Sequence, residues 1–214
     1  MECTQYVLQI ILDKSDLIVE EVHSQKDVDI FYGRSVRLDV LAKDSAGKLY
    51  NIEVQRRDDG AIPQRARYNS SILDTENLEK GAKFKELPEV FVIFITEHDV
   101  LKGGEQIYHI ERVIKETGKN FGDGSHIVYA NARALAQGEG DLADVMHDLL
   151  CADPNEMHNK TIASRSRLIK GDNAKEGDMR KYEDILYDEA FASGRAEGIE
   201  QGIEQGIEQG IERG

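Results

Sequence analysis

Only two cysteines, Cys3 and Cys151, occur in 214 residues, far apart and without the close spacing of a thiolate metal site. That excludes a disulfide framework and leaves two reduced thiols, as expected of a cytoplasmic protein. Nowhere does the chain approach the roughly 18–20 consecutive apolar residues that a membrane span requires. The opening "MECTQYVLQIILDKSDL" lacks the basic start and small-residue cleavage site of a signal peptide, and reads as an amphipathic helix. No glycine-rich phosphate loop and no nucleophile elbow is present. The six histidines share no spacing, so no zinc site is expected from them.

Positive charge is also scarce. There are 27 Lys and Arg against 41 Asp and Glu, a formal net charge of −14. Taken alone, that balance opposes nucleic-acid binding. Its distribution changes the conclusion. From Gly171 onward there are 5 Lys or Arg against 12 Asp or Glu, so half the excess acid sits in the last fifth of the chain. The body retains room for a local basic patch.

Hydrophobic periodicity predicts strands interleaved with helices. A helix is expected over Glu2–Leu12 and strands over Ile18–His23, Val36–Ala42 and Leu49–Arg56. A helix with proline at its start should follow over Pro63–Leu78. "EVFVIFIT", Glu89–Thr96, is almost continuously apolar, which suits a strand covered on both faces. Ile107–Val113 and His126–Ala130 read as short strands and Asp141–Cys151 as a helix, with helical, polar sequence from Pro154 onward. This order predicts an α/β fold with a mixed central sheet flanked by helices. Three parts are expected: a domain over 1–152, a helical extension over 153–193 and a repeat tail over 194–214.

The tail reads "EGIEQGIEQGIEQGIERG". A four-residue repeat advances a helix by about 400°, so Ile199, Ile203, Ile207 and Ile211 form one slowly winding stripe. Glutamates repelling at i,i+4 and glycines costing roughly 1 kcal/mol each leave such a helix marginal alone. The segment reads either as a solvated extension or as a homo-oligomerisation helix.

The chemistry concentrates in the hairpin. With Ser45, Ala46 and Gly47 as its loop and Gly47 left-handed, Asp44 stands opposite Lys48. Val40 then faces Ile52 and Leu38 faces Val54 on one side; Asp39 faces Glu53 and Arg37 faces Gln55 on the other. Directly opposed residues have Cβ atoms about 4.5–5.5 Å apart. Two ionised carboxylates at that separation repel unless a cation or a proton lies between them. Two hard oxygen donors on a rigid surface suit Mg²⁺, which keeps several waters and takes one or two carboxylates plus substrate phosphate. Gln55 points to the same side and can orient a water. Arg56, Arg57, Arg65 and Arg67 follow closely, as a site for a phosphodiester would require. The same residues also fit a plainer reading: two surface acids, each paired with an arginine such as Arg37.

"VRLDVLAKDSAGKLYNIEVQ" followed by "PQRARYNSSILDTENLEKGAKFKELPEVFVIFITEHD" resembles the PD-(D/E)XK nuclease superfamily, and within it the Rpn-like family of recombination-promoting nucleases and transposases. The likeness extends over roughly Glu2–Ala134, and the "EGIEQG" tail is in the family's style. It implies a restriction-endonuclease-like core and Mg²⁺-dependent cleavage of DNA, with Mn²⁺ or Ca²⁺ as alternative ions. By position, Asp39 matches the acid of the first hairpin strand and Glu53 the acid of the Glu-x-Lys element. Gln55 stands where the superfamily has lysine, a replacement familiar in this branch. Arg65, Arg67 and Tyr68 match the arginine/tyrosine run that opens the next helix, and Glu2 matches an acid in the first helix of some relatives. On this reading Asp39, Glu53 and the backbone carbonyl of Val54 hold the metal, Gln55 positions water, and the arginines grip DNA. The alternative is a nuclease-fold module that binds nucleic acid or a protein partner without cutting. Relatives usually carry an aromatic-rich segment before the first helix, so the chain reads as truncated or late-starting.

Overall fold

The computed structural model describes residues 2–28, 36–55, 60–151 and 153–170. Arg56, Arg57 and the repeat tail lie outside the described residues. Helix α1 spans Glu2–Ile11 and is followed by three strands, β1 (Val19–Val28), β2 (Val36–Asp44) and β3 (Leu49–Gln55). Helix α2 (Pro63–Asn77) leads to β4 (Val90–Thr96), β5 (Ile107–Ile110) and a small hairpin of β6 (Val113–Ile114) and β7 (Lys119–Asn120). Strand β8 (Ser125–Asn131) then precedes α3 (Ala132–Leu135), α4 (Asp141–Leu150) and α5 (Lys160–Lys170).

Six strands form one sheet in the order β1-β2-β3-β4-β8-β5. β2 runs antiparallel to both of its neighbours, β1 and β3; β3, β4 and β8 run parallel, and β5 closes the far edge antiparallel to β8. The sheet is therefore mixed, as expected. Every residue of central β4 is buried, because helices cover both of its faces.

On one face, Val7 and Leu8 of α1, Val145 and Met146 of α4 and Ile162 of α5 pack on Val40, Ile52, Ile93 and Ile95. On the other, Ala66, Ile72 and Leu73 of α2 pack on Leu49, Val92, Phe94 and Tyr129. The parity of β3 assigns its residues accordingly. Tyr50, Ile52 and Val54 join the first cluster, while Leu49 joins the second.

The hairpin has the expected register, Val40 opposite Ile52 and Ala42 opposite Tyr50. Gly47 adopts φ 79°, the left-handed value the loop requires. Asp44 holds the turn: one carboxylate oxygen accepts from the N–H of Ala46 (2.9 Å) and Lys48 (2.8 Å), the other from the buried Tyr50 hydroxyl (2.7 Å). Burial, with that carboxylate alongside, pushes the Tyr50 phenol well above its ordinary range. Asp44→Ala removes three acceptor contacts and strands a buried hydroxyl. It is expected to lower stability by about 2–4 kcal/mol, read from urea denaturation.

Four local expectations need correction. β1 continues to Val28, beyond His23, because it pairs with β2 as far as Val28 opposite Val36. Its polar, charged residues hide the strand signal, as is common on an edge. Ile107–Val113 is not one strand: Ile110 is the last residue on β8, and Val113 pairs with Asn120 instead. Leu38 packs with the α2-side cluster rather than beside Val40, since the β2–β3 ladder stops at Val40 opposite Ile52. Finally, the plainer reading of two surface acids does not hold for Glu53, because α2 lies over this side of β3 and buries Asn51 and Glu53.

Candidate functional site

Where the β2–β3 ladder stops, two carboxylates take over its hydrogen bonds. The Val54 N–H donates to Asp39 Oδ2 (3.3 Å), and the Asp39 N–H donates to Glu53 Oε1 (3.4 Å). Each acid thus reaches across to the opposite strand's backbone, which brings the two together just beyond the last ladder pair, Val40 opposite Ile52. Gln55 joins them, its Nε2 donating to Asp39 Oδ2 at 3.4 Å.

Helix α2 completes the arrangement from above. Arg65, in its first turn, donates from Nη2 to Glu53 Oε2 at 2.5 Å and from Nη1 to the Gly60 carbonyl at 3.1 Å. One turn later, the Asn69 amide donates to Asn51 Oδ1 (3.0 Å) and Glu53 Oε1 (3.4 Å). The Asn51 amide also donates to Glu53 Oε1 at 3.0 Å. Glu53 is fully buried, and its two oxygens are held differently: Oε1 by amides and backbone, Oε2 by a guanidinium. Asn69 Oδ1, also buried, has no hydrogen-bond partner among the described residues. Gly60 sits so close to Gln55 that a Cβ there would lie 2.1 Å from Gln55 Oε1, so any larger residue must push the amide aside.

Burial raises the pKa of Glu53 to about 7; the neighbouring Asp39 charge adds to the rise, while Arg65 and the Asn51 amide oppose it. Asp39 is raised as well, by burial first, against the pull of Arg65 and its hydrogen bonds to Val54 and Gln55. Both shifts have one consequence. A carboxyl whose folded pKa exceeds its unfolded value holds extra protons in the folded chain, so its stabilisation is complete below the ordinary carboxylate range and fades as pH climbs toward 7. The metal-free protein is expected to lose on the order of 1–3 kcal/mol from this pair between pH 5 and pH 8. Denaturation curves for wild type and Glu53→Gln isolate the Glu53 share of this loss, which the variant should lack.

The remaining expected residues are placed as follows. Arg67 is exposed on α2 and Tyr68 is half-buried against the second core cluster. Glu2 is exposed at the start of α1, whose buried residues join the opposite face of the sheet. Arg37 lies on β2, opposite Asp27 of β1 in the backbone ladder. Asn51 and Asn69 were missed in the sequence, although Asn51 was visibly on the polar side of the hairpin strand.

A second group was also missed. His147, Asp148 and His158 bring ligand atoms within 4.8 Å of one another. Their geometry has a structural explanation. Asp148 is buried and accepts the backbone N–H of His158 and of Asn159, both at 2.7 Å, which ties α4 to the start of α5. The two imidazoles stack at 4.2 Å with planes 6° apart, and one ion cannot lie in both ring planes unless a ring turns.

A mixed α/β sheet that sets two carboxylates side by side on a hairpin, with a helix carrying an arginine onto them, defines a nuclease-like protein. The family model described as PD-(D/E)XK nuclease family transposase matches residues 5–145, and the chain belongs to that family. No curated protein and no solved structure matches it significantly. Nucleases of this family generally use divalent metals, and the donors here fit one: two neighbouring carboxylates, Asp39 and Glu53, of which only Glu53 is paired with a cation, Arg65. Among the described residues, no helix is long and apolar enough to cross a membrane.

Proposed function

We propose that the protein is a Mg²⁺-dependent DNA endonuclease of the recombination-promoting type. The observation that carries this reading is the pairing of Asp39 with fully buried Glu53 at the end of the hairpin ladder, under the start of α2. A protein gains nothing in stability by placing two acids against each other, and a divalent cation is the simplest reason to keep them.

When bound, the ion would be held by Asp39, Glu53 and the Val54 carbonyl, and would supply Lewis-acid stabilisation of the scissile phosphate and an acidified water. The chain's own residues do the rest. Asn51 and Asn69 hold Glu53 Oε1, so that Oε2 keeps one orientation. Gln55, with its amide on Asp39, orients water beside the pair but carries neither charge nor base. Arg65 and exposed Arg67 lie on the first two turns of α2, where they can engage the backbone of a bound strand, and Arg56 and Arg57 would extend that grip.

Incubating supercoiled plasmid with purified protein tests the reading. Nicking should appear with Mg²⁺ and cease with a chelator; intact plasmid at high protein concentration would contradict it and favour binding without cutting. Duplex affinity should also fall with salt. Arg67→Ala is expected to flatten the slope of log affinity against log salt by about 0.9, the loss of one phosphate contact. An unchanged slope would remove Arg67 from the interface.

A further inference from the structure

Glu53 Oε2 is the site's best candidate for a metal-ligand atom, and it faces a guanidinium. Oε1 is supported by the Asn51 amide, the Asn69 amide and the Asp39 N–H, so its position does not depend on Arg65. Oε2 instead takes the short contact from Arg65 Nη2. The arginine is not buried with its partner: its side chain is 31% exposed while that of Glu53 is 0% exposed. It reaches in from the solvent side, anchored otherwise by the Gly60 carbonyl. Its stem starts in the first turn of α2, so it can swing outward without moving the helix.

A divalent ion and a guanidinium against the same oxygen, Oε2, repel each other, so each weakens the hold of the other. The guanidinium's planar fork of donors matches two oxygens of a phosphodiester, which offers it an alternative partner of the same charge. We propose that Arg65 is a displaceable internal cation. It holds the acid pair closed to metal until a nucleic-acid phosphate takes its guanidinium, so that metal loading and nucleic-acid binding are positively coupled. This inference rests on the acid pair being the metal centre. Coupling of this kind is reciprocal, so a duplex that frees the pair must itself bind more tightly in the presence of the ion. The consequence for function is restraint: without nucleic acid the site stays unloaded.

The test is Mn²⁺ binding to the full-length protein, read from the loss of the free-ion signal in electron paramagnetic resonance. It is run at pH 8.5 and 4 °C, alone and with a short DNA duplex, subtracting uptake by the duplex itself. Wild type should bind Mn²⁺ weakly alone and roughly tenfold or more tightly with duplex. Arg65→Gln should bind Mn²⁺ tightly without duplex and gain little from it. Arg65→Lys keeps the charge but not the fork, so Mn²⁺ affinity should stay near wild type while the gain from duplex shrinks. If Arg65→Gln does not fold, as judged by circular dichroism, the Arg65→Lys comparison decides. Arg65→Gln binding no more tightly than wild type, or Arg65→Lys with the full gain from duplex, overturns the proposal. Asp39→Asn with unchanged Mn²⁺ binding would instead overturn the metal-centre reading beneath it.

Discussion

Asp39→Asn protein is expected to fold normally and to lose at least about 100-fold in plasmid cleavage, the scale on which removing one charge-stabilising group acts. The substitution conserves volume, and the new amide oxygen can still accept the Val54 N–H that Asp39 Oδ2 accepts. What disappears is an anionic ligand. Glu53→Gln should lose activity to a similar extent, since its amide oxygen can remain with Asn51 and Asn69 while an amide nitrogen replaces Oε2. Cleavage time courses over a range of Mg²⁺ concentrations make the comparison. Either variant cutting at the wild-type rate would detach that residue from the chemistry.

Glu53→Ala should behave differently, as a stability defect. Removing one partner of a buried ion pair costs about 3–5 kcal/mol when the other partner stays uncompensated. Here Arg65 is partly exposed and can recover water, but Asn51 and Asn69 lose their common acceptor inside the protein. A loss of about 2–4 kcal/mol is expected by urea denaturation, against less than about 1.5 kcal/mol for Asp39→Ala at its half-buried position. Opposed carboxylates considered by themselves suggest that removing one relieves repulsion. The structure reverses that for Glu53, because its carboxylate is paired with Arg65 and hydrogen-bonded by Asn51 and Asn69. Equal stability of Glu53→Ala and wild type would mean that the buried network contributes nothing net.

The hairpin was legible in the sequence because two independent signals agreed. Period-two alternation set which residues share a face, and Gly47 set the loop, so Asp39 and Glu53 had to be neighbours. The central strand was legible from an apolar run of the right length. What surrounds the acids was not legible. Asn69 meets Asn51 and Glu53 only because α2 crosses the polar side of β3, and no local pattern marks that crossing. α2 has a weak apolar stripe for the same reason: two of its buried positions, Asn69 and Ser70, are polar. Arg65 was read as a phosphate ligand from its place at the helix start, and its contact with Glu53 depends on the same tertiary approach. Leu38 changed sides because the carboxylates end the ladder that the alternation assumes. The stacking of His147 on His158 follows from how α4 meets the turn before α5, and eleven residues of separation give no hint of it.

The most direct measurement is the anomalous scattering of Mn²⁺ in a crystal of the protein bound to a short DNA duplex. The account predicts a peak between the Asp39 and Glu53 carboxylates, with Arg65 turned from Oε2 toward a phosphate. No peak at these acids, or one at His147, Asp148 and His158 alone, would contradict it.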